Sequence, residues 1–437
     1  MRRPTPRTGG RKVERRASAR PTAAAKASAK RTLRREAHQP DYAILVATVA
    51  LAATGILMVF SSSAMEAYQR QDDTFAIVGP QIQWALLGLV AMAITMRIDY
   101  RYLRLVSVPG YVVALVLLGL VLVLPERGVL HSIVVGGSAR WIQLGSVPAI
   151  HPAEFAKLAL IVYLAHWMAR RGIAIRSFWR GTVPFLVIVA PVVALIFKEP
   201  DLGTTIVVAA TALTIVFAAG ANLIHLGVLM SGGLAALVVA GLRGYQSDRI
   251  RIWLDPWVDA LGAGFQTVQG LLALGTGGIG GTGLGQSRIF VPNAFNDFIF
   301  AEIGQEFGLI GAVTIVVLFG LLGYAGVRTA LRAPDTFGAL LAAGITAWLC
   351  VQAFINMAVV VTLVPVTGIT LPFISAGGSS LIISFAAVGI LLSISRETVE
   401  RGSWNDAPAD RGRGHGRTHL PGTRRRSSAP VPAGRRA

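Results

Sequence analysis

The sequence predicts an all-α polytopic membrane protein with about ten transmembrane helices and a large extracytoplasmic loop between spans 7 and 8. Hydrophobic residues make up 53% of the 437-residue chain and charged residues only 14%, which is not the composition of a soluble domain. Mostly apolar runs of about 18 or more residues, enough to cross roughly 30 Å of hydrocarbon, occur at 43–60, 80–97, 104–124, 152–169, 182–197, 202–219, 223–242, 303–327, 337–362 and 379–395.

Basic tails flank this apolar body. Residues 1–40 hold 13 Lys or Arg against two Glu, and residues 396–437 hold 10 Arg against four acids, so the tails carry +17 of the formal charge of +19. Tails of this composition are predicted to be disordered. We expect them to contact anionic lipid headgroups rather than nucleic acid. The predicted organisation is a tail at 1–40, a membrane domain at 41–397 and a tail at 398–437.

The same charges predict the orientation, because Lys and Arg concentrate on the cytoplasmic side of membrane proteins. With both termini in the cytoplasm, ten spans place several arginines in inner loops: Arg97, Arg101, Arg104, Arg170, Arg171, Arg176, Arg180, Arg328 and Arg332. The two longest connections, 125–151 and 243–302, then face outward. They contain much of the Gly, Trp, Pro and polar content of the membrane domain, so we expect function on the outer side.

Some chemistries are excluded. The single cysteine, Cys350, cannot form an internal disulfide or a thiolate metal cluster. Gly275, Gly277 and Gly280 match G-x-G-x-x-G but lack the strand-helix-strand context of a dinucleotide site, and the chain has no P-loop motif. No nucleotide cofactor is predicted. These glycines favour a kinked or re-entrant backbone, which is tolerated at membrane depth where protein covers it.

Acidic residues at the edge of an apolar segment are the strongest sign of a site. Asp297, Glu302 and Glu306 precede or begin the eighth predicted span, and ionisable groups there are costly enough to indicate function. Asp297 has a structural alternative, because it also stands where a helix N-cap is expected.

Two other positions each allow two interpretations, and a third is expected to cap a helix. Glu154 and Lys157 are either an ion pair at a helix start or part of a polar cavity inside the bundle. Arg140 is either an interfacial anchor or a bidentate ligand for phosphate. Asp201 is expected to cap the sixth span.

Polar residues near the last two spans suggest a further contact region. Gln352 and Asn356 lie on one face of the ninth span, where interhelical hydrogen bonding is expected. The following segment, 365–380, has too many Pro and Gly residues for a regular helix. Its backbone amides, followed by a helix N-terminus, suit an anion.

Six strings carry a family resemblance: GSARWIQLGSVPAIHPAEFAKLALIVYLA, KEPDLGTT, DRIRIWLDPW, GFQTVQGLLALGTGGIGGTGLGQS, NDFIFAEIGQEFG and INMAVVVTLVPVTGITLPFISAGGSS. In order and spacing they resemble the SEDS family (shape, elongation, division and sporulation) over roughly residues 41–397. Within the family they are more similar to the division branch, FtsW, than to the elongation branch, RodA. The departures are Asn293 and Phe295, where the family usually has an acid and a His, and Ala376, where it has an aromatic residue.

The resemblance implies a ten-span peptidoglycan glycosyltransferase of the bacterial cell membrane. It would polymerise lipid II during division or wall growth, beside a class B penicillin-binding protein and other division or elongation proteins. The family's proposed catalytic aspartate matches Asp297. Motif matches assign substrate binding to six residues: Arg140, Glu154, Lys157, Gly377, Gly378 and Ser379.

The chemistry can also be argued from the reaction. An acceptor sugar hydroxyl attacks the anomeric carbon of a donor whose leaving group is a lipid pyrophosphate, so one carboxylate base at Asp297 can suffice. Arg140, Lys157 or a divalent cation such as Mg²⁺ or Mn²⁺ would stabilise the leaving phosphates; the metal ligands are unknown. The alternatives are a lipid II flippase or transporter and a non-catalytic division scaffold. Only the enzyme makes Asp297 indispensable.

Overall fold

A computed structural model describes residues 39–135, 138–145, 148–241 and 245–397. The predicted basic tails at 1–40 and 398–437 lie outside the described residues, apart from Gln39 and Pro40. Their disorder and their contact with lipid remain predictions.

Every predicted span coincides with a helix. In chain order the described helices are α1 (Tyr42–Gln71), α2 (Val78–Arg97), α3 (Leu103–Val123), α4 (Pro152–Ala169), α5 (Val183–Lys198), α6 (Leu202–Ala218), α7 (Leu223–Gly241), α8 (Tyr245–Leu254), α9 (Phe265–Gly277), α10 (Ile299–Arg332), α11 (Thr336–Val360) and α12 (Gly378–Ser395). Helix α1 contains the predicted span at 43–60 and continues beyond it through the mostly polar segment 61–71.

Among the described residues, seven helices are long and apolar enough to cross a membrane: α1, α2, α3, α5, α10, α11 and α12. The chain is therefore a polytopic helical membrane protein, as predicted. The three remaining predicted spans are also helices. The apolar parts of α6 and α7 are shorter, at Leu202–Ala218 and Leu223–Ala236. Helix α4 has 18 residues and carries buried Glu154 and Lys157.

The centre of the bundle is formed by α4, α11 and α12, whose side chains are mostly buried. Small residues allow the helices to approach closely, which matters in lipid because tight packing rather than hydrophobicity drives helix association. A Cβ at Gly389 of α12 would lie 2.4 Å from the carbonyl oxygen of Met92 on α2. This contact fixes α2 against α12.

The outer connection at 125–151 contains a β-hairpin, which we did not predict. Strand β1 (Leu130–Val135) pairs antiparallel with β2 (Ser138–Leu144), and Ile133 lies opposite Trp141. The β-branched and aromatic residues of both strands suit this conformation. Ile142 also forms a bridge with Ile150, which brings the hairpin to the start of α4.

The outer connection at 243–302 is more ordered than a loop, because it contains α8, α9 and a glycine-rich segment packed on α10. In that segment the amides of Thr282 and Gly283 donate to the carbonyls of Gln305 and Glu306 at 2.9 and 3.0 Å. Helix α10 is interrupted at Gly308, where φ is 65°. The kinked backbone predicted from the glycines is confirmed.

Ion pairs join helix ends on the side predicted to be cytoplasmic. Arg101 lies 3.3 Å from Asp335 and 2.5 Å from Glu397, and Arg328 pairs with Asp41. Although burial opposes it, the Gly338 amide and nearby arginines hold the pKa of Asp335 below its ordinary value. The network connects α1, α3, α10, α11 and the end of α12.

The glycine-rich segment provides a matched pair of substitutions. A Cβ at Gly281, where φ is +83°, would lie 2.1 Å from the carbonyl oxygen of Glu306, whereas a Cβ at Gly280 meets nothing within 4 Å. We expect Gly281→Ala to lower the free energy of unfolding by about 2–4 kcal/mol and Gly280→Ala to change it little. Thermal unfolding in detergent measures both. Equal midpoints for the two variants would contradict the packing described here.

Candidate active site

One face of α11 organises the candidate site. Asn356 is buried and donates through Nδ2 to the main-chain carbonyls of Asp297 and Ile369, both at 2.8 Å. Gln352, four residues earlier and also buried, accepts from Lys157 Nζ at 2.7 Å. The predicted interhelical hydrogen bonding of these two amides is confirmed. It places Asp297 and Lys157 beside the same face of one helix.

Lys157 and Glu154 form a buried ion pair in the first turns of α4. Their side chains are 3% and 8% exposed, and Nζ lies 2.8 Å from Glu154. The ammonium also lies 5.1 Å from the ring centroid of Trp348. The interpretation as an ion pair at a helix start is confirmed, and the pair also lies inside the bundle; a polar cavity around it remains a prediction. Lys157 is surrounded by protein partners, so direct substrate contact by this pair remains a prediction.

Asp297 lies in the turn before α10. The N-cap of that helix is Phe298, and no side chain caps it, so the alternative of Asp297 as a helix cap is wrong. Gln266 Nε2 lies 3.5 Å from Asp297 Oδ1 and donates to the Pro292 carbonyl at 3.0 Å. Among the described residues, no basic side chain forms an ion pair with Asp297 within 4.0 Å.

The surroundings make the Asp297 carboxylate more basic than usual. Burial raises its pKa, and this outweighs the lowering by its own amide, by Gln266 and by the charge of Arg249. A position just before a helix would by itself lower the pKa, so burial decides the direction here. The residue is still partly exposed, so a substrate can reach it.

Arg140 joins the hairpin to the α5–α6 turn. Its Nε donates to the carbonyl of Glu199 at 3.2 Å and its Nη2 to that of Pro200 at 2.7 Å. A guanidinium at the C-terminal end of α5 also complements the helix dipole. Arg140 is thus an anchor for β2, and its predicted contact with phosphate remains a prediction.

Glu199 is a buried carboxyl that we did not predict to matter. It is 1% exposed, and neither carboxylate oxygen has a hydrogen-bond partner among the described residues. Burial, and then the charge of Asp201, raise its pKa to about 8 against the opposing effect of Arg140. Glu199 is therefore mostly protonated at neutral pH. Asp201 caps α6 as predicted, accepting from the Thr204 amide at 2.9 Å.

The predicted Gly377, Gly378 and Ser379 contacts lie where α12 begins. Gly377 is the N-cap, and its amide donates to Gln81 Oε1 at 3.3 Å. Ser379 Oγ accepts from the amide of His151 at 3.2 Å. The start of α12 is thereby joined to the start of α4, and the anion contact of this segment remains a prediction.

Glu302 and Glu306 are buried and accept hydrogen bonds from neighbouring segments. Glu306 Oε1 accepts from Ser61 of α1 at 2.5 Å and from Ser287 at 3.0 Å. Glu302 Oε2 accepts from Ser287 at 2.8 Å and from Gln305 at 3.2 Å. These bonds fasten the end of the glycine-rich segment to α10 and α1. Of the three acids expected at the site, Asp297 alone is left partly exposed.

The predicted residues therefore form two groups. Asp297, Lys157 and Glu154 are connected through α11, whereas Arg140 and Ser379 are connected through the start of α4, at His151. The sequence did not reveal His151, Gln266 or Glu199 as site residues. Only the acidic hairpin around Glu199 and the polar position of His151 before Pro152 were visible signals.

A metal site is not evident in the described part of the chain. Residues 39–397, apart from the three short gaps, contain no group of three or more His, Cys, Asp or Glu side chains that could hold a metal ion. A divalent cation in this site remains a prediction.

Comparisons with known proteins agree with one another. The profile of the family that includes FtsW, RodA and SpoVE, described as "Cell cycle protein", matches residues 42–400. Stage V sporulation protein E of Bacillus subtilis is 42% identical over 363 residues, which cover 82% of this chain and 97% of that protein. The "Probable peptidoglycan glycosyltransferase FtsW" of Geobacter metallireducens is 40% identical over 367 residues, covering 83% of this chain and 96% of that protein.

A solved structure is similar throughout the membrane domain. It belongs to work on "Structural coordination of polymerization and crosslinking by a peptidoglycan synthase complex", and its chain superposes with a TM-score of 0.68 at 29% identity. The match covers 82% of this chain and 98% of that chain.

The buried ion pair predicts a stability effect. Glu154→Gln leaves the Lys157 ammonium buried without its anion, so we expect the free energy of unfolding to fall by about 3–5 kcal/mol. Adding Lys157→Met to Glu154→Gln removes the isolated charge and should restore much of the loss. Thermal unfolding in detergent compares the two. An unchanged midpoint for Glu154→Gln would show that the pair is solvated.

The raised pKa of Glu199 predicts that the wild type and Glu199→Gln differ in stability in a pH-dependent way. Since its pKa rises from 4.5 unfolded to about 8 folded, the wild-type fold loses stability as pH increases through that window. Glu199→Gln cannot ionise, so it should match the wild type near pH 5 and unfold several degrees higher near pH 8.5. Parallel unfolding midpoints across this range would contradict the burial of the carboxyl.

Proposed function

Because the chain belongs to the family of FtsW, RodA and SpoVE, we infer that it is a peptidoglycan glycosyltransferase that polymerises lipid II, with Asp297 as the general base. The chain is a multi-pass membrane protein. The observation that carries the proposal is Asp297: the residue is partly exposed, its main chain is held by Asn356, and burial raises the pKa of its carboxyl.

In the proposed reaction the 4-hydroxyl of an acceptor sugar attacks the anomeric carbon of the donor. Asp297 Oδ takes the hydroxyl proton as the new carbon–oxygen bond forms, and the bond to the lipid pyrophosphate breaks with its electron pair on the departing phosphate oxygen. A one-step displacement converts an α-linked donor into a β-linked product. The raised pKa of Asp297 brings the base closer to neutral pH, which favours proton transfer.

The leaving pyrophosphate needs positive surroundings rather than a general acid. We propose that Arg140 and the amides of Gly378 and Ser379 provide them, with Gly377 as the N-cap whose own amide donates to Gln81. Arg140 uses Nε and Nη2 on main-chain carbonyls, which leaves Nη1 for a phosphate oxygen. Glu154 and Lys157 support the site from inside the bundle. A divalent cation, Mg²⁺ or Mn²⁺, would add charge stabilisation for the leaving phosphates.

We also propose a protein partner and a membrane orientation for the enzyme. A relative with similar structure is part of a peptidoglycan synthase complex, which supports a class B penicillin-binding protein as partner, together with other division or elongation proteins. The arginines at the inner ends of the helices support an orientation with both termini in the cytoplasm. The active site then faces outward, where peptidoglycan is made.

Asp297→Asn tests the function. The substitution removes the base but keeps the shape and the Asn356 contact, so we expect polymerisation of purified lipid II to fall by about 10²–10⁴-fold. The unfolding midpoint should be unchanged or higher, because the charged form of a carboxyl with a raised pKa destabilises the fold. In the wild type, kcat/KM should decrease as pH falls through a pKa above 3.8.

The assay compares detergent-solubilised wild type and variant, with and without a class B penicillin-binding protein and Mg²⁺ or Mn²⁺. Gly280→Ala, whose added methyl group meets nothing within 4 Å, is the control and should retain most activity. Full polymerisation by Asp297→Asn would contradict the assignment. No product from any wild-type mixture, with lipid II movement intact in liposomes, would favour a transporter instead.

A further inference from the structure

His151 lies where four segments of the described chain meet. It is the N-cap of α4, and its main-chain amide donates to Ser379 Oγ in the first turn of α12 at 3.2 Å. Its ring meets Trp141 of β2 edge to face, with centroids 5.4 Å apart. The charge of Asp201, the cap of α6, also acts on the ring.

One nitrogen of the His151 imidazole is not used in a hydrogen bond within the described residues. Nδ1 is shielded from solvent and has no hydrogen-bond partner among the described residues, although the ring as a whole is partly exposed. Burial lowers the pKa of His151 below its ordinary value; Glu154 and Asp201 oppose this, and Lys157 and Arg140 add to it. The imidazole is therefore neutral at neutral pH. A buried donor or acceptor without a partner is costly, so a ligand that completes it gains affinity.

The surroundings of the ring indicate an anionic ligand. Helices α4 and α12 both begin here, joined by the bond from the His151 amide to Ser379. The N-terminal ends of helices carry unpaired amides and partial positive charge. A second unpartnered group is present: the Thr367 hydroxyl is 7% exposed, and it belongs to a residue packed against Gly203 in the first turn of α6. Arg140 contributes a full positive charge from the hairpin.

We propose that His151 is a substrate-recognition residue whose Nδ1–H donates a hydrogen bond to a pyrophosphate oxygen of the lipid-linked donor. This deepens the proposed function and rests on it. The neutral ring avoids charge repulsion with Arg140 and Lys157 in the empty site. When a pyrophosphate binds, its negative charge favours the imidazolium, so the ring gains a proton and binding strengthens as pH falls.

His151→Phe isolates this role. The Ser379 contact uses the main-chain amide, and a phenyl ring can keep the edge-to-face contact with Trp141. The substitution therefore removes the ring nitrogens while retaining the packing. Combined with Asp297→Asn, which prevents turnover, it allows substrate binding to be measured directly by the dissociation constant.

The experiment measures binding of lipid II and of undecaprenyl pyrophosphate to the Asp297→Asn protein, with and without His151→Phe, between pH 6 and 8. We expect His151→Phe to weaken both ligands about tenfold, to flatten the pH dependence and to leave the unfolding midpoint unchanged. Equal dissociation constants at every pH would overturn the proposal. A loss confined to lipid II would also overturn it, because the contact would then be to sugar.

Absence of lipid II binding by the Asp297→Asn protein itself would overturn both this proposal and the proposed function. Binding by that protein that is insensitive to His151→Phe would overturn the His151 contact alone.

Discussion

Buried backbone that is not helical must find its hydrogen bonds within the protein, and here two amide side chains of α11 meet that requirement. Asn356 donates hydrogen bonds to the carbonyls of Asp297 and Ile369, and Gln352 donates one to the carbonyl of Thr370 at 3.0 Å. The irregular segment before α12 and the turn before α10 are therefore attached to the same helix. The positions of the proposed base and of the α12 N-terminus follow from this attachment.

The acidic residues have different roles, and the contacts of each side chain determine its role. Glu154 is neutralised by Lys157, Asp201 caps a helix, and Glu302 and Glu306 accept hydrogen bonds from the glycine-rich segment and its neighbours. Within the described part of the chain, the Asp297 carboxylate has a long contact with Gln266 and an interaction with its own amide, but no ion pair. A carboxylate that is desolvated but not neutralised is poor for stability and suited to accepting a proton.

The helices could be predicted from the sequence because lipid imposes a simple rule of length and apolar composition. Asp297, Gln352 and Asn356 could be predicted because polar groups in apolar segments are few. The hairpin was missed because its strands are short and lie between glycines, where no long alternating pattern develops. Glu199 was missed because its burial depends on Arg140 and β2, which are about 60 residues away, and the resemblance alone did not indicate its state.

The non-helical backbone at Gly308 divides α10 into a short N-terminal part and a long C-terminal part. The amides of Leu309 and Ile310, just after the break, donate to the carbonyls of Gly278 and Ile279 at the end of α9. The long C-terminal part of α10 is therefore bonded to α9 at the point where the helix is interrupted. The short N-terminal part leads back to Asp297. The position of the proposed base therefore depends on how the end of α9 packs, and not only on the long apolar part of α10.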